Sequence, residues 1–104
     1  MQTIYKGTTP SLTLTFDIDL DLTEADSVVV TFATDYRKPL FEKTGSDLIV
    51  DEHAITLYFT QEQTLAIQSN TMLMQMNALF GTERVCSDIA KLCWAENLKN
   101  EVMT

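Results

Sequence analysis

The sequence predicts an all-β domain: a small antiparallel sandwich or barrel of about seven or eight strands, with one short helix near residues 61–68. Two observations predict it. First, the segments Ser11-Leu12-Thr13-Leu14-Thr15-Phe16, Ser27-Val28-Val29-Val30-Thr31-Phe32, Ala54-Ile55-Thr56-Leu57-Tyr58-Phe59 and Met72-Leu73-Met74-Gln75-Met76-Asn77 all follow a two-residue period. Successive side chains on a strand point to opposite faces, so each run sends one set into a core and the other toward water. Second, turn-forming residues punctuate these runs at short intervals, as they do between the strands of sandwiches and barrels.

The chain opens with a short strand at residues 2–6. Gly7-Thr8-Thr9-Pro10 ends it, because glycine supplies backbone freedom and proline cannot donate to a ladder. A second strand, 11–17, aims Leu12, Leu14 and Phe16 at the core. Ile18, Leu20 and Leu22 keep that parity, so an extended chain would continue to bury one side while Asp17, Asp19 and Asp21 face water. Thr23-Glu24-Ala25-Asp26 predicts a tight turn with Thr23 as its cap. Residues 27–34 form the most hydrophobic strand, expected at the sheet centre, with Val28, Val30 and Phe32 on one face.

After the polar connection Asp35-Tyr36-Arg37-Lys38, Pro39 marks residues 38–43 as an edge strand, with Lys38 and Lys43 guarding its flanks. Thr44-Gly45-Ser46 and Asp51-Glu52-His53 turn the chain into strands at 47–50 and 54–59. Thr60-Gln61-Glu62-Gln63 is the one good helix start: Thr60 and Gln63 match a capping box, in which each side chain satisfies an orphan amide of the other residue. That helix ends near Ser69-Asn70. A long strand follows at 72–80, then a turn at Gly81-Thr82-Glu83 and a single return strand at 84–94. The polar tail, 96–104, is expected to add a helical turn or to fray.

A chain of 104 residues fits one domain spanning 1–104. Its hydrophobic fraction of 45% is ordinary for a soluble globular protein. No apolar stretch approaches the roughly 18 residues of a membrane helix, and no basic-then-apolar leader opens the chain. Seven basic against fifteen acidic residues give a net charge of -8, which argues against nucleic acid and anionic membranes as partners. The plain reading of this acidity is solubility, and the sharper one is docking against a basic partner surface.

Cys86 and Cys93 are the only cysteines. On one regular strand their odd separation would point them to opposite faces at least ~20 Å apart. They could then form no mutual disulfide without a break in that strand, and two free thiols are expected. The C-x-x-C spacing of a zinc half-site is missing. Asp17-Ile18-Asp19-Leu20-Asp21 resembles the start of a calcium loop, but Leu22 and Val28 stand where an EF-hand needs Gly and Glu. A charged strand edge is the better reading, and no metal is expected.

His53 is the only histidine and sits in an acidic turn. Without a G-x-S-x-G elbow or a flanked nucleophilic cysteine, the chain is read as no enzyme, with no catalytic residues and no cofactor. Met72, Met74 and Met76 share one strand face, where core packing is the plain expectation and an adaptable apolar surface the functional one. Trp94 shares parity with Ala90 and Leu92 and reads as a core plug, with Asp88 on that side needing a rim position.

One resemblance covers nearly the whole chain. Ile4-Tyr5-Lys6-Gly7-Thr8-Thr9-Pro10-Ser11-Leu12-Thr13-Leu14 resembles the opening of small β-sandwich proteins of Gram-positive (Firmicutes) prophages. The similarity continues through Asp21-Leu22-Thr23, Val30-Thr31-Phe32, Lys43-Thr44-Gly45 and the stretch from Leu57-Tyr58-Phe59 to Thr64-Leu65, and ends in Trp94 and Asn97-Leu98. These proteins are related to the N-terminal domain of phage baseplate upper proteins. The resemblance implies an Ig-like sandwich in or near the tail module, synthesised in the bacterial cytoplasm and then carried into the virion, with no catalytic residues.

The function expected on these grounds is a structural or assembly component of a phage or prophage tail or baseplate. Its partners would be other tail or baseplate proteins, or further copies in a homo-oligomer. An independent module recognising carbohydrate or a receptor is the alternative, although only Tyr36 is an aromatic in an obvious loop. A small soluble regulator binding a host protein is a third. The partner-contact strand expected is Thr3, Ile4, Tyr5 and Lys6, which carries no proline and sets Ile4 and Tyr5 on opposite faces.

Overall fold

Alternation of the predicted kind produces two sheets packed face to face, an all-β sandwich with one short α-helix. The computed structural model describes residues 2–17, 19–36 and 38–104. Ile18, expected to extend a buried face, and Arg37, in the polar connection, lie outside the described residues, as does Met1. The strands are β1 (Gln2–Tyr5), β2 (Ser11–Thr15), β3 (Ser27–Asp35), β4 (Lys38–Thr44), β5 (Leu48–Val50), β6 (Ala54–Tyr58), β7 (Thr71–Phe80), β8 (Glu83–Cys86) and β9 (Ala90–Ala95). The helix α1 (Gln61–Ala66) lies between β6 and β7 and carries the capping box expected of Thr60 and Gln63.

The larger sheet runs β1-β9-β7-β3-β4, with β8 also paired to β7, and the smaller runs β2-β6-β5. The hydrophobic β3 is internal, between β7 and β4, and the proline-bearing β4 is an edge, both as the sequence predicts. One pairing departs from an antiparallel sandwich: β1 lies parallel to β9. These strands come from opposite ends of the chain, so no hairpin dictates their direction.

The core lies between the sheets. Val30 and Phe32 of β3 sit opposite Met76 and Met74 of β7, and these buried residues face Leu12, Ile55 and Leu57 of the smaller sheet. The methionine row is therefore packing material, suited to an irregular gap between twisted sheets. Phe32 stacks on Phe41 at 4.8 Å, while Phe59 meets Phe32 edge-on at 5.3 Å and Trp94 edge-on at 5.7 Å. Such offset and T-shaped pairs suit the ring quadrupole.

α1 ties this cluster to the chain's two ends. Trp94 is fully buried, and its indole N–H donates to the Thr64 carbonyl at 2.9 Å. The Thr64 hydroxyl, also fully buried, accepts the Gly7 N–H and donates to the Thr8 carbonyl, each at 2.9 Å. Gly7 has φ of +83°, a conformation that side chains resist, and a Cβ there would lie 3.2 Å from Leu65.

Four expectations need correction. The return of the long hairpin is two strands, β8 and β9, broken at 87–89, which raises the count to nine. Ser87 causes the break: its N–H donates to the Met76 carbonyl, and its hydroxyl accepts the Met76 N–H. Lys43 does not guard an edge, because it pairs with the inward-facing Val30 and is only 6% exposed. Its ammonium donates to Gln63 Oε1 at 3.0 Å and sits 5.6 Å from the Phe59 ring centroid. β2 stops at Thr15, and the turn after it is a 3₁₀ helix at Leu22–Glu24 whose cap is Asp21, not Thr23. An ionised carboxylate accepts two donors at once and so outcompetes the hydroxyl.

Candidate functional site

A sandwich that closes on no barrel leaves edges, and the chemistry of each edge decides whether it is blunted or usable. β4 is blunted by Pro39, and β8 carries Glu83 and Arg84. β1, β2 and β5, the far edge of the smaller sheet, contain neither proline nor charge. β5 is only three residues long, so β1 and β2 are the longer open edges.

β1 ends the larger sheet beside β9. The Lys6 N–H donates to the Ala95 carbonyl at 2.9 Å, which sets the parallel ladder so that even-numbered residues bond to β9. The backbone groups of Thr3 and the N–H of Tyr5 are thereby turned to the open side, while the Tyr5 carbonyl accepts the Thr8 hydroxyl at 2.6 Å and the Thr8 N–H at 3.3 Å. Among the expected contact residues, Thr3 and Tyr5 are exposed, Tyr5 by 55%. Ile4 is buried in the core, and Lys6 is buried with its ammonium 2.6 Å from Glu96 Oε1. Only half of the expected quartet is thus presented to a partner by side chain.

β2 forms an edge of the smaller sheet. Phe16 donates to the His53 carbonyl and Phe59 to the Pro10 carbonyl, so even-numbered residues of β2 bond β6. The amides and carbonyls of Ser11, Thr13 and Thr15 turn the other way. Those of Thr13 and Thr15 look onto a cleft of about 520 Å³ between the sheets, bounded across from β2 by the break at 87–89. Sequence reasoning missed this cleft because it read residues 84–94 as one strand. The signal available was Ser87-Asp88, a polar pair in which a serine hydroxyl can take a ladder bond.

The acidic run holds no nucleus of a metal centre: among the described residues, no group of three or more His, Cys, Asp or Glu could hold a metal ion. Asp21 is engaged elsewhere. Its Oδ1 accepts the Thr23 hydroxyl at 2.6 Å and the Thr23 N–H at 2.9 Å, and these bonds hold the carboxyl below the usual aspartate range. Calcium is expected to leave the melting temperature nearly unchanged. A specific site would add about 2.7 kcal/mol at a hundredfold excess over its dissociation constant, a rise of roughly ten degrees in a domain this size. A saturable rise abolished by Asp19→Asn would overturn that expectation. His53 is exposed, as its acidic turn suggests.

Both thiols are free, but the reason given by parity needs correction. Cys86 pairs with Asn77 and Cys93 with Thr71, two odd-numbered residues of the regular strand β7, so the thiols share the outer face. The break at 87–89 supplies an extra residue and resets the alternation. Six residues of β7 still separate their partners, or ~20 Å along the strand, far beyond disulfide reach. A thiol titration under denaturing, non-reducing conditions should count two free groups per chain. In the native state Cys86, the exposed one, should react faster than the half-buried Cys93. A native bridge between them would contradict the register of β8 and β9.

Among the described residues no helix is long and apolar enough to cross a membrane. No family model, curated protein or solved structure matches the chain.

Proposed function

We propose that this domain is a structural or assembly component of a phage or prophage tail or baseplate, acting through protein–protein contacts rather than by catalysis. The observation that carries the reading is the β1 edge, with outward N–H groups at Thr3 and Tyr5 beside an exposed tyrosine ring. Unguarded edges invite pairing with another chain, and main-chain bonds then supply affinity while alternate side chains supply specificity. Tyrosine suits such a contact because it offers apolar area and a polar tip with little rotamer entropy to lose. The likeness of residues 4–14 to prophage sandwich proteins supports a tail as the setting. The net charge of -8 favours a basic neighbouring surface.

Hydrogen exchange on the reconstituted tail assembly tests this. Ile4 and Lys6 face β9 in the free protein, so the informative amides are Thr3 and Tyr5, which should slow strongly on assembly. If they exchange as fast in the assembly as in the free domain, or if no tail protein binds, the reading fails.

A further inference from the structure

The cleft beside β2 belongs to a different edge of a different sheet, and its chemistry describes its occupant. The apolar part of its lining comes from Leu14 and Phe16 on one side and Met74 and Met76 on the other. Leu14 and Phe16 are half-buried and pack on the core cluster without being sealed by it. One wall is the edge of β2, whose backbone groups at Thr13 and Thr15 face outward. The mouth carries two exposed carboxylates, Asp17 and Asp88, and among the described residues no lysine, arginine or histidine lines it. The volume of about 520 Å³ falls inside the range of pockets that hold a bound molecule.

We propose that this cleft receives an extended, basic segment of a partner protein, which pairs with β2 as an added strand. Its backbone would bond Thr13 and Thr15, and alternate apolar side chains would enter between Leu14, Phe16, Met74 and Met76. A lysine or arginine at its end would meet Asp17 and Asp88. Each part answers a feature of the site: strand pairing answers the open ladder, alternation answers the apolar part of the lining, and positive charge answers the carboxylates. A second copy of this chain fits poorly, since its β2 edge brings the same two carboxylates to the same mouth. Ser87 holds the far wall in place through its paired bonds to Met76 and through its carbonyl, which accepts Gln75 Nε2 at 2.8 Å. The site is therefore preformed.

The probe is a blocked synthetic peptide alternating valine and threonine and ending in two lysines, compared with the same peptide ending in two glutamates. Amide chemical shifts of the isotope-labelled full chain report where it binds. The lysine peptide should shift Thr13, Thr15, Ser87 and Ala90 and bind about tenfold more tightly than the glutamate peptide at low salt, a gap that closes as salt rises. Thr13→Pro removes an outward N–H together with the exposed hydroxyl bond to Thr56 at 3.0 Å, and should abolish binding with the fold intact. Should that variant misfold, Asp17→Asn with Asp88→Asn, both at exposed positions, should erase the preference for lysine. No shift at millimolar peptide, shifts confined to β1, or equal affinity for both peptides would each overturn the proposal. So would concentration-dependent self-association mapping to β2, which would assign the edge to a second copy. Because β1 is read separately, loss of docking there leaves this result standing.

Discussion

Trp94→Ala should remove about 3–5 kcal/mol of stability, the range for deleting a large buried aromatic side chain. The side chain is fully buried, touches Phe59 edge-on and donates its indole N–H to the Thr64 carbonyl. Three losses therefore coincide: apolar burial, an aromatic pair and a hydrogen bond. Native domains hold only about 5–15 kcal/mol in total, so the variant should be marginal or unfolded at 37 °C. At this chain length a loss of that size lowers the melting temperature by roughly 12–20 °C. Because Trp94 is the only tryptophan, the measurement is urea unfolding followed by far-UV circular dichroism rather than by fluorescence. Trp94→Phe keeps most of the ring but not the donor and should lose less. A Trp94→Ala variant within about 1 kcal/mol of the parent would mean that the site collapses around the deletion, and that Trp94 is no keystone.

Strand positions were legible wherever one side of a sheet is buried, since burial imposes the two-residue period that the sequence displays. The row Met72, Met74 and Met76 shows this directly, and the capping box of Thr60 and Gln63 was legible from its own local pattern. Legibility failed where a side chain replaced a backbone bond or where charge went inward. Ser87 bonds both polar groups of Met76 and lets the chain shift register, and no hydrophobic period encodes such an exchange. Asp21 captured the turn from Thr23 by the same kind of local competition. Lys6 and Lys43 read as surface charges, yet they share parity with Ile4 and Phe41, and their stems run along apolar surface while each ammonium finds an oxygen. The β1 edge was legible as an unguarded strand, but its parallel pairing with β9 was not, because no local signal links the two ends of a chain. The cleft beside β2 depends on the Ser87 exchange at 87–89, and so had no sequence trace beyond two polar residues.

Thr64→Val is the second large effect and the one that connects the core to the open edge. Valine matches threonine in shape, so packing is preserved and the change isolates the hydroxyl. In the parent that hydroxyl accepts from Gly7 N–H and donates to Thr8 O. Valine leaves both without this partner. Thr8 is exposed and its carbonyl can turn to water, whereas Gly7 is half-buried in its turn. An unsatisfied donor of that kind costs about 1–3 kcal/mol, and the second lost bond adds about 1 kcal/mol more. Thr64→Ser keeps the hydroxyl, deletes one methyl group and should cost only about 1 kcal/mol. The more hydrophobic valine variant is thus expected to be the less stable one, the reverse of what burial alone would give. The loss should also be local. Gly7 lies two residues beyond β1, so releasing it should speed exchange at Ile4 and Lys6, whose amides face β9, before the rest of the sheet responds. If Thr64→Val matches the serine variant in urea midpoint and leaves those amides unchanged, the hydroxyl does not anchor β1. The docking edge would then be held by Ile4 in the core and the Lys6–Glu96 pair alone.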